Sequence, residues 1–122
     1  MGVLALDDLA VAYGGETVIP GLTLEVAEGE LVSLLGPSGA GKTTILKAVA
    51  GLLAPARGDV RIDGRSVRGL PPEKRGAVMV FQKPLLFPFM NVAQNIGFGL
   101  RMQGVPTAEA RGRIGGILEL TR

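Results

Sequence analysis

Nine consecutive residues, Gly36-Pro37-Ser38-Gly39-Ala40-Gly41-Lys42-Thr43-Thr44, constrain this chain more than any other feature. The first eight fit the pattern G-x-x-x-x-G-K-[ST] without exception. Before them, Leu31-Val32-Ser33-Leu34-Leu35 is nearly continuous apolar sequence, as a strand covered on both faces reads. After them, Lys42 to Ala50 places Ile45, Leu46 and Val49 on one helical face, with Gly51 as the C-terminal stop. Strand, glycine-rich loop and helix in that order make an anion cradle. The glycines permit positive φ and close backbone approach, so successive N–H groups point inward at phosphate oxygens. The following helix adds roughly half a positive charge at its N-terminus. Lys42 can reach β- and γ-phosphates, and the Thr43 hydroxyl is a hard oxygen ligand suited to Mg²⁺. The motif implies a nucleotide phosphate site.

Composition removes most other chemistries. The 122 residues suit one modest domain, and an apolar share of 47% is enough to form a core. Cys is absent, which excludes disulfide scaffolds, cysteine-ligated zinc and thiol catalysis. His is absent too, which excludes imidazole acid–base chemistry, Ser-His-Asp triads and histidine-ligated zinc. The sequence start has no basic region and carries Asp7 and Asp8, so no secretory signal is expected. The longest uncharged stretch, Pro84 to Leu100, is 17 residues and includes Pro84, Pro88, Asn91, Gln94 and Asn95. A spanning helix needs about 20 mostly apolar residues, so none is expected. Residues 1–60 hold 3 basic and 7 acidic groups, whereas residues 61–122 hold 10 and 4. The Arg residues of that basic half are scattered without aromatic interleaving, which reads as a solvated face, and no nucleic acid is expected as a partner.

Along the rest of the chain, Val3 to Tyr13 alternates loosely and ends at Gly14-Gly15, as a strand and turn do. Leu22, Leu24 and Val26 predict a half-exposed strand, and Glu28-Gly29-Glu30 a turn. Val60 and Ile62 lead into Asp63-Gly64, a two-residue hairpin signal. Ala77 to Phe81 reads as a second buried strand. Asn91 and Thr107 are placed to cap two further helices, the second weakened by Gly112, Gly115 and Gly116.

Three features together resemble the nucleotide-binding domains of ABC transporters, and the resemblance runs from Leu4 to Leu100. Tyr13 stands 23 residues before Gly36, where the family places an aromatic that stacks on adenine, with Val18 packing nearby. Gly36 to Thr44, followed by Ile45-Leu46 and Ala50-Gly51-Leu52, is the family's wording of the P-loop. Val80-Phe81-Gln82 is similar to its Q-loop, where the Gln contacts Mg²⁺ and the attacking water. The stretches Pro71 to Arg75, Leu86 to Val92 and Asn95 to Met102 further resemble an importer group that takes up polyamines, sugars, ferric iron, sulfate or related solutes. That group usually reads His-Met-Thr where this chain has Phe89-Met90-Asn91.

The resemblance implies an α/β P-loop NTPase with a RecA-like partial core and an antiparallel β-subdomain. Residues 1–30 and 58–67 supply the β-subdomain strands, 31–53 the P-loop strand and helix, 77–82 a strand and the Q-loop, and 83–122 the start of a helical subdomain. It implies ATP and Mg²⁺ as ligands. Nucleotide contacts fall to Tyr13, Val18, Gly36, Pro37, Ser38, Gly39, Ala40, Gly41, Lys42, Thr43 and Thr44, Mg²⁺ contacts to Thr43 and Gln82, and catalytic roles to Lys42 and Gln82. Partners implied are transmembrane permease subunits, docked around Leu85 to Asn91, and a second ATP-binding subunit, at the cytoplasmic face of the membrane.

The family's later motifs, Leu-Ser-Gly-Gly-Gln, a Walker B strand ending in Asp-Glu and a switch His, do not occur here. The apolar run ending in Asp7-Asp8 precedes the loop and reads as the ordinary first strand. The expectation is therefore the N-terminal part of one nucleotide-binding domain, truncated before the signature region. It is an ATPase as a complete subunit, and by itself it lacks a proton acceptor for the attacking water. The alternatives are an ABC ATPase acting on nucleic acid or the ribosome, and a non-catalytic remnant.

Overall fold

Strand β1 (Leu4–Tyr13) runs between two antiparallel neighbours in the computed structural model, which describes residues 3–37, 39 and 41–121. On one side lies β2 (Glu16–Val26), on the other β3 (Arg57–Ile62), which pairs in turn with the short β4 (Arg65–Ser66). Both hairpins follow from their turn residues. Gly14 and Gly15 have φ of 57° and 85°, and Asp63 and Gly64 have 52° and 78°. Two positive φ values in a two-residue loop match the right-handed twist of the strands they join.

The register of β1 shifts near Asp8 against both neighbours, and against β2 it shifts twice more, between Leu9 and Val11 and between Val11 and Ala12. Leu6 faces Leu24 and Val60, and the pairing shifts between Leu6 and Leu9 on the β2 side and between Asp7 and Ala10 on the β3 side. The extra β1 residue is a bulge at Asp8, whose φ is 47°. A strand places residues three apart on opposite faces, yet Leu6, Leu9 and Val11 all enter one core cluster. The bulge resets the parity, which is why the sequence alternates only loosely here. Its exposed groups are tied down: the Asp8 N–H donates to the Thr23 hydroxyl at 3.1 Å, and the Asp8 carboxylate takes Arg57 Nε at 2.9 Å. Arg57 also donates to the Pro20 carbonyl at 2.7 Å.

Helix α1 (Lys42–Ala50) covers the sheet face with Ala48, fully buried, and with Ile45 and Val49. Leu6, Leu9, Val11, Ile19, Val60 and Val67 complete that core. Gly51, at φ 90°, ends the helix, and both its N–H and that of Leu52 turn back to the Lys47 carbonyl. A single 3₁₀ turn follows at Pro72–Lys74.

Two expected strands are not formed. Residues 31–35 and 77–81 are irregular, and no ladder pairs them with any described residue. Leu31 and Leu35 are 92% exposed and Val78 93%. A parallel strand needs a ladder neighbour and cover on both faces. The described residues supply only the four antiparallel strands, so the apolar runs find no ladder.

The second unit, Phe81–Arg122, carries two helices, α2 (Val92–Met102) and α3 (Thr107–Leu120). Asn91 caps α2 as expected, in a reciprocal box: its side chain accepts from the Gln94 N–H at 2.8 Å, and Gln94 Oε1 accepts from the Asn91 N–H at 2.9 Å. The expected Thr107 cap is displaced by one residue. Pro106 occupies the cap position and Thr107 is the first helical residue, with no side-chain cap bond. Despite its three glycines α3 runs 14 residues. Gly97 lets the helices approach, because a Cβ there would lie 2.7 Å from Ile114 Cδ1.

Candidate functional site: the glycine loop and the start of α1

The loop is shaped by backbone that only glycine adopts cheaply. Gly39 and Gly41 have φ of 83° and 89°. Gly41 also packs against β2: a Cβ on it would lie 2.6 Å from Ile19 Cδ1 and 3.2 Å from Val18 Cγ1. The loop therefore enters α1 with its last glycine pressed on the strand that carries Val18. From the first helical position, Lys42 folds back over the loop. Its ammonium donates to the Gly36 carbonyl and, at 3.3 Å, to the Pro37 carbonyl. The ammonium is thereby held against the first two carbonyls of the loop.

Of the residues expected at a nucleotide site, the structure brings Val18, Gly36, Pro37, Gly41 and Lys42 together around the start of α1. Thr43 is exposed in the first helical turn and Thr44 is half-buried beside it. Ser38 and Ala40 lie outside the described residues. Tyr13 closes β1 beside the hairpin turn, 55% exposed. Gln82 is exposed in the irregular start of the second unit. Asp7 and Asp8 belong to the antiparallel sheet, and Asp8 is engaged by Arg57, which holds its carboxyl below the usual carboxylate range, first by hydrogen bonding and then by charge.

Among the described residues no three Asp, Glu, His or Cys side chains converge on a metal position. Thr43 offers one hard oxygen, and Mg²⁺ characteristically takes one or two protein ligands and fills the rest with phosphate oxygens and water. That donor set fits a cation arriving with a phosphate chain.

The ABC transporter family profile matches residues 19–121, most of the chain and all of the loop. This chain belongs to the ABC transporter family. It is 42% identical over 120 residues to a spermidine/putrescine import ATP-binding protein of Bacillus thuringiensis (strain Al Hakam), covering 98% of this chain and 37% of that protein. Against the protein so named in Thermobifida fusca (strain YX) it is 49% identical over 104 residues, 85% of this chain and 27% of the relative. The chain thus spans between about a quarter and little more than a third of the length of the curated relatives it matches. A solved ATP-binding cassette dimer, in a post-hydrolysis state with ADP and Pi, superposes with a TM-score of 0.82 at 29% identity, over 95% of this chain and 56% of that one. The fold is that of the ABC ATPase nucleotide-binding domain, in part, an α/β P-loop NTPase with its antiparallel sheet.

Two polar anchors were not legible as such in the sequence. Arg75 is buried with its guanidinium on backbone carbonyls, and Asn95 donates to the Met90 carbonyl at 3.1 Å and accepts from the Phe87 N–H at 2.9 Å. Asn95 thereby ties down the exposed apolar segment that includes Phe87 and Phe89. Both fall within stretches that carry the resemblance, Pro71 to Arg75 and Asn95 to Met102, but the anchoring role of each is defined by backbone groups that only the fold gathers. Within the basic half, Arg61 pairs with Asp59 at 3.3 Å and Arg68 donates to the Gly58 carbonyl at 2.7 Å. No helix among the described residues is long and apolar enough to cross a membrane.

Proposed function

We propose that this chain is the nucleotide-binding portion of an ABC transporter ATPase subunit, and that the complete subunit couples Mg-ATP binding and hydrolysis to solute import. The observation that carries this reading is the Lys42 ammonium held against the first two carbonyls of a glycine loop that opens α1. When a phosphate chain enters, the ammonium exchanges its two carbonyls for phosphate oxygens, and the loop N–H groups with the start of α1 hold the remaining negative charge. Gly36, Pro37, Ser38, Gly39, Ala40, Gly41 and Thr44 form the cradle, Tyr13 stacks on the base, and Val18 packs nearby. Thr43 and Gln82 would hold Mg²⁺, which supplies charge neutralisation on the phosphates when bound. Gln82 also orients the attacking water. The proton acceptor for hydrolysis is assigned on this reading to residues of the complete subunit.

The relatives named for spermidine and putrescine import make a polyamine the first solute to test. The segment around Leu85 to Asn91, which exposes Leu85, Leu86 and Phe89, is the proposed contact with the permease. A second ATP-binding subunit completes the site, in keeping with the dimeric cassette it superposes on. The test is Mg-ATP titration and turnover of the full-length protein, with and without its permease. Saturable binding, and turnover raised by the permease, are expected. Absence of nucleotide binding would refute the reading.

A further inference from the structure

Among the described residues Arg75 is the only buried charged or polar residue, 8% exposed. A buried cation is costly unless every donor aimed inward finds an acceptor. Here Nε donates to the Leu70 carbonyl at 2.9 Å, and Nη1 donates to the carbonyls of Ala48 at 3.1 Å and Val49 at 3.3 Å. The last two acceptors lie in the final turn of α1, where carbonyls have no intrahelical partner. The Gly51 and Leu52 N–H groups both turn to Lys47, leaving Ala48 and Val49 to Arg75. Gly51 provides the space as well as the turn, because a Cβ there would lie 2.7 Å from Arg75 Nε. The guanidinium thus sits at the negative end of the helix whose positive end opens the phosphate loop.

Helix α1 has nine residues, a rod about 14 Å long at 1.5 Å per residue. Its direction is set at its two ends. Gly41 rests on Val18 and Ile19 at the start, and Arg75 ties the finish to the segment around Leu70. We propose that Arg75 is a positioning residue for nucleotide binding: it fixes the angle of α1, and so the aim of the loop amides and Lys42, without touching the nucleotide. The proposal rests on the nucleotide reading of the loop. A fork that bridges two elements cannot be replaced by an ammonium, so Lys restores the charge but not the geometry.

The test compares wild type, Arg75→Met and Arg75→Lys in the full-length protein. ATP affinity is measured at a temperature where each remains folded, alongside an NMR spectrum of isotopically labelled glycine amides. Affinity is expected to fall about tenfold in Arg75→Met and to be only partly restored in Arg75→Lys, within what a misplacement of about 1 Å costs. The Gly39 and Gly41 amide signals should move while those of Gly14 and Gly15 at the hairpin stay. If Arg75→Met does not fold, Arg75→Lys alone decides. Wild-type affinity in a folded Arg75→Lys, with unmoved loop signals, would overturn the proposal while leaving the nucleotide reading standing. A wild type that does not bind ATP would overturn both.

Discussion

Replacing Gly58 by Ala should be among the most damaging single-methyl changes in this chain. Gly58 lies in β3 opposite the β1 bulge, with φ of 86°. A Cβ there would sit 2.2 Å from the Asp8 carbonyl oxygen and 2.5 Å from that of Asp7. The left-handed conformation costs a non-glycine residue about 1–2 kcal/mol. The clash adds roughly 1–3 kcal/mol of overpacking, since the opposing atoms are backbone and cannot rotate aside. The total is about 2–5 kcal/mol. Gly14→Ala is the control, with φ of 57° and nothing within 4 Å of the added carbon, so only the conformational cost of about 1–2 kcal/mol applies. Urea unfolding followed by far-ultraviolet circular dichroism measures both. A typical slope of about 1–3 kcal/mol per molar makes the difference readable as a shift in midpoint. Equal midpoints for the two variants would refute the claim that the bulge and Gly58 are mutually required.

Gly41→Ala should leave the sheet folded but weaken ATP binding by about tenfold, because the added methyl meets Ile19 and re-aims the loop; isothermal titration checks it. Gly97→Ala should destabilise the α2–α3 pair, and adding Ile114→Val, which removes the opposing Cδ1, should restore it, as thermal melting of the pair of variants would show. Asn95→Ala should speed amide exchange at Phe87, whose N–H loses its acceptor, with little change at the amides of β1. The Asp8–Arg57 pair lowers the Asp8 pKa, so its contribution is present above the unfolded value of 3.8 and is lost as pH falls through the lower folded value. Asp8→Asn should therefore flatten the acid limb of the stability profile, by an amount that shrinks with added salt, since both side chains are exposed.

Local chemistry was legible wherever one short stretch carries the whole cause. Gly14-Gly15 and Asp63-Gly64 dictate their turns, Gly51 stops α1, and Asn91 caps α2. The Lys42 loop was legible for the same reason, its geometry being written in adjacent glycines. What escaped depends on distant partners. The bulge at Asp8 exists because two neighbouring strands accept it, and Arg57, far along the chain, holds it. Arg75 acts on carbonyls more than twenty residues earlier. The apolar runs at 31–35 and 77–81 look like strands because their composition suits burial on two faces, but a ladder needs partners that the described residues do not provide. Thr107 shows the reverse error: a good capping residue loses the position to Pro106, whose fixed φ already suits the helix entry.

On the reading proposed for this chain, the loop beginning at Gly36 and closed by Lys42 binds the phosphates of ATP. It is tested most directly by titrating Mg-ATP into the full-length protein and its Lys42→Ala variant, with circular dichroism to show that both are folded. Saturable binding by the wild type, lost in the folded variant, is the predicted result. Equal affinity in the two proteins would contradict the account.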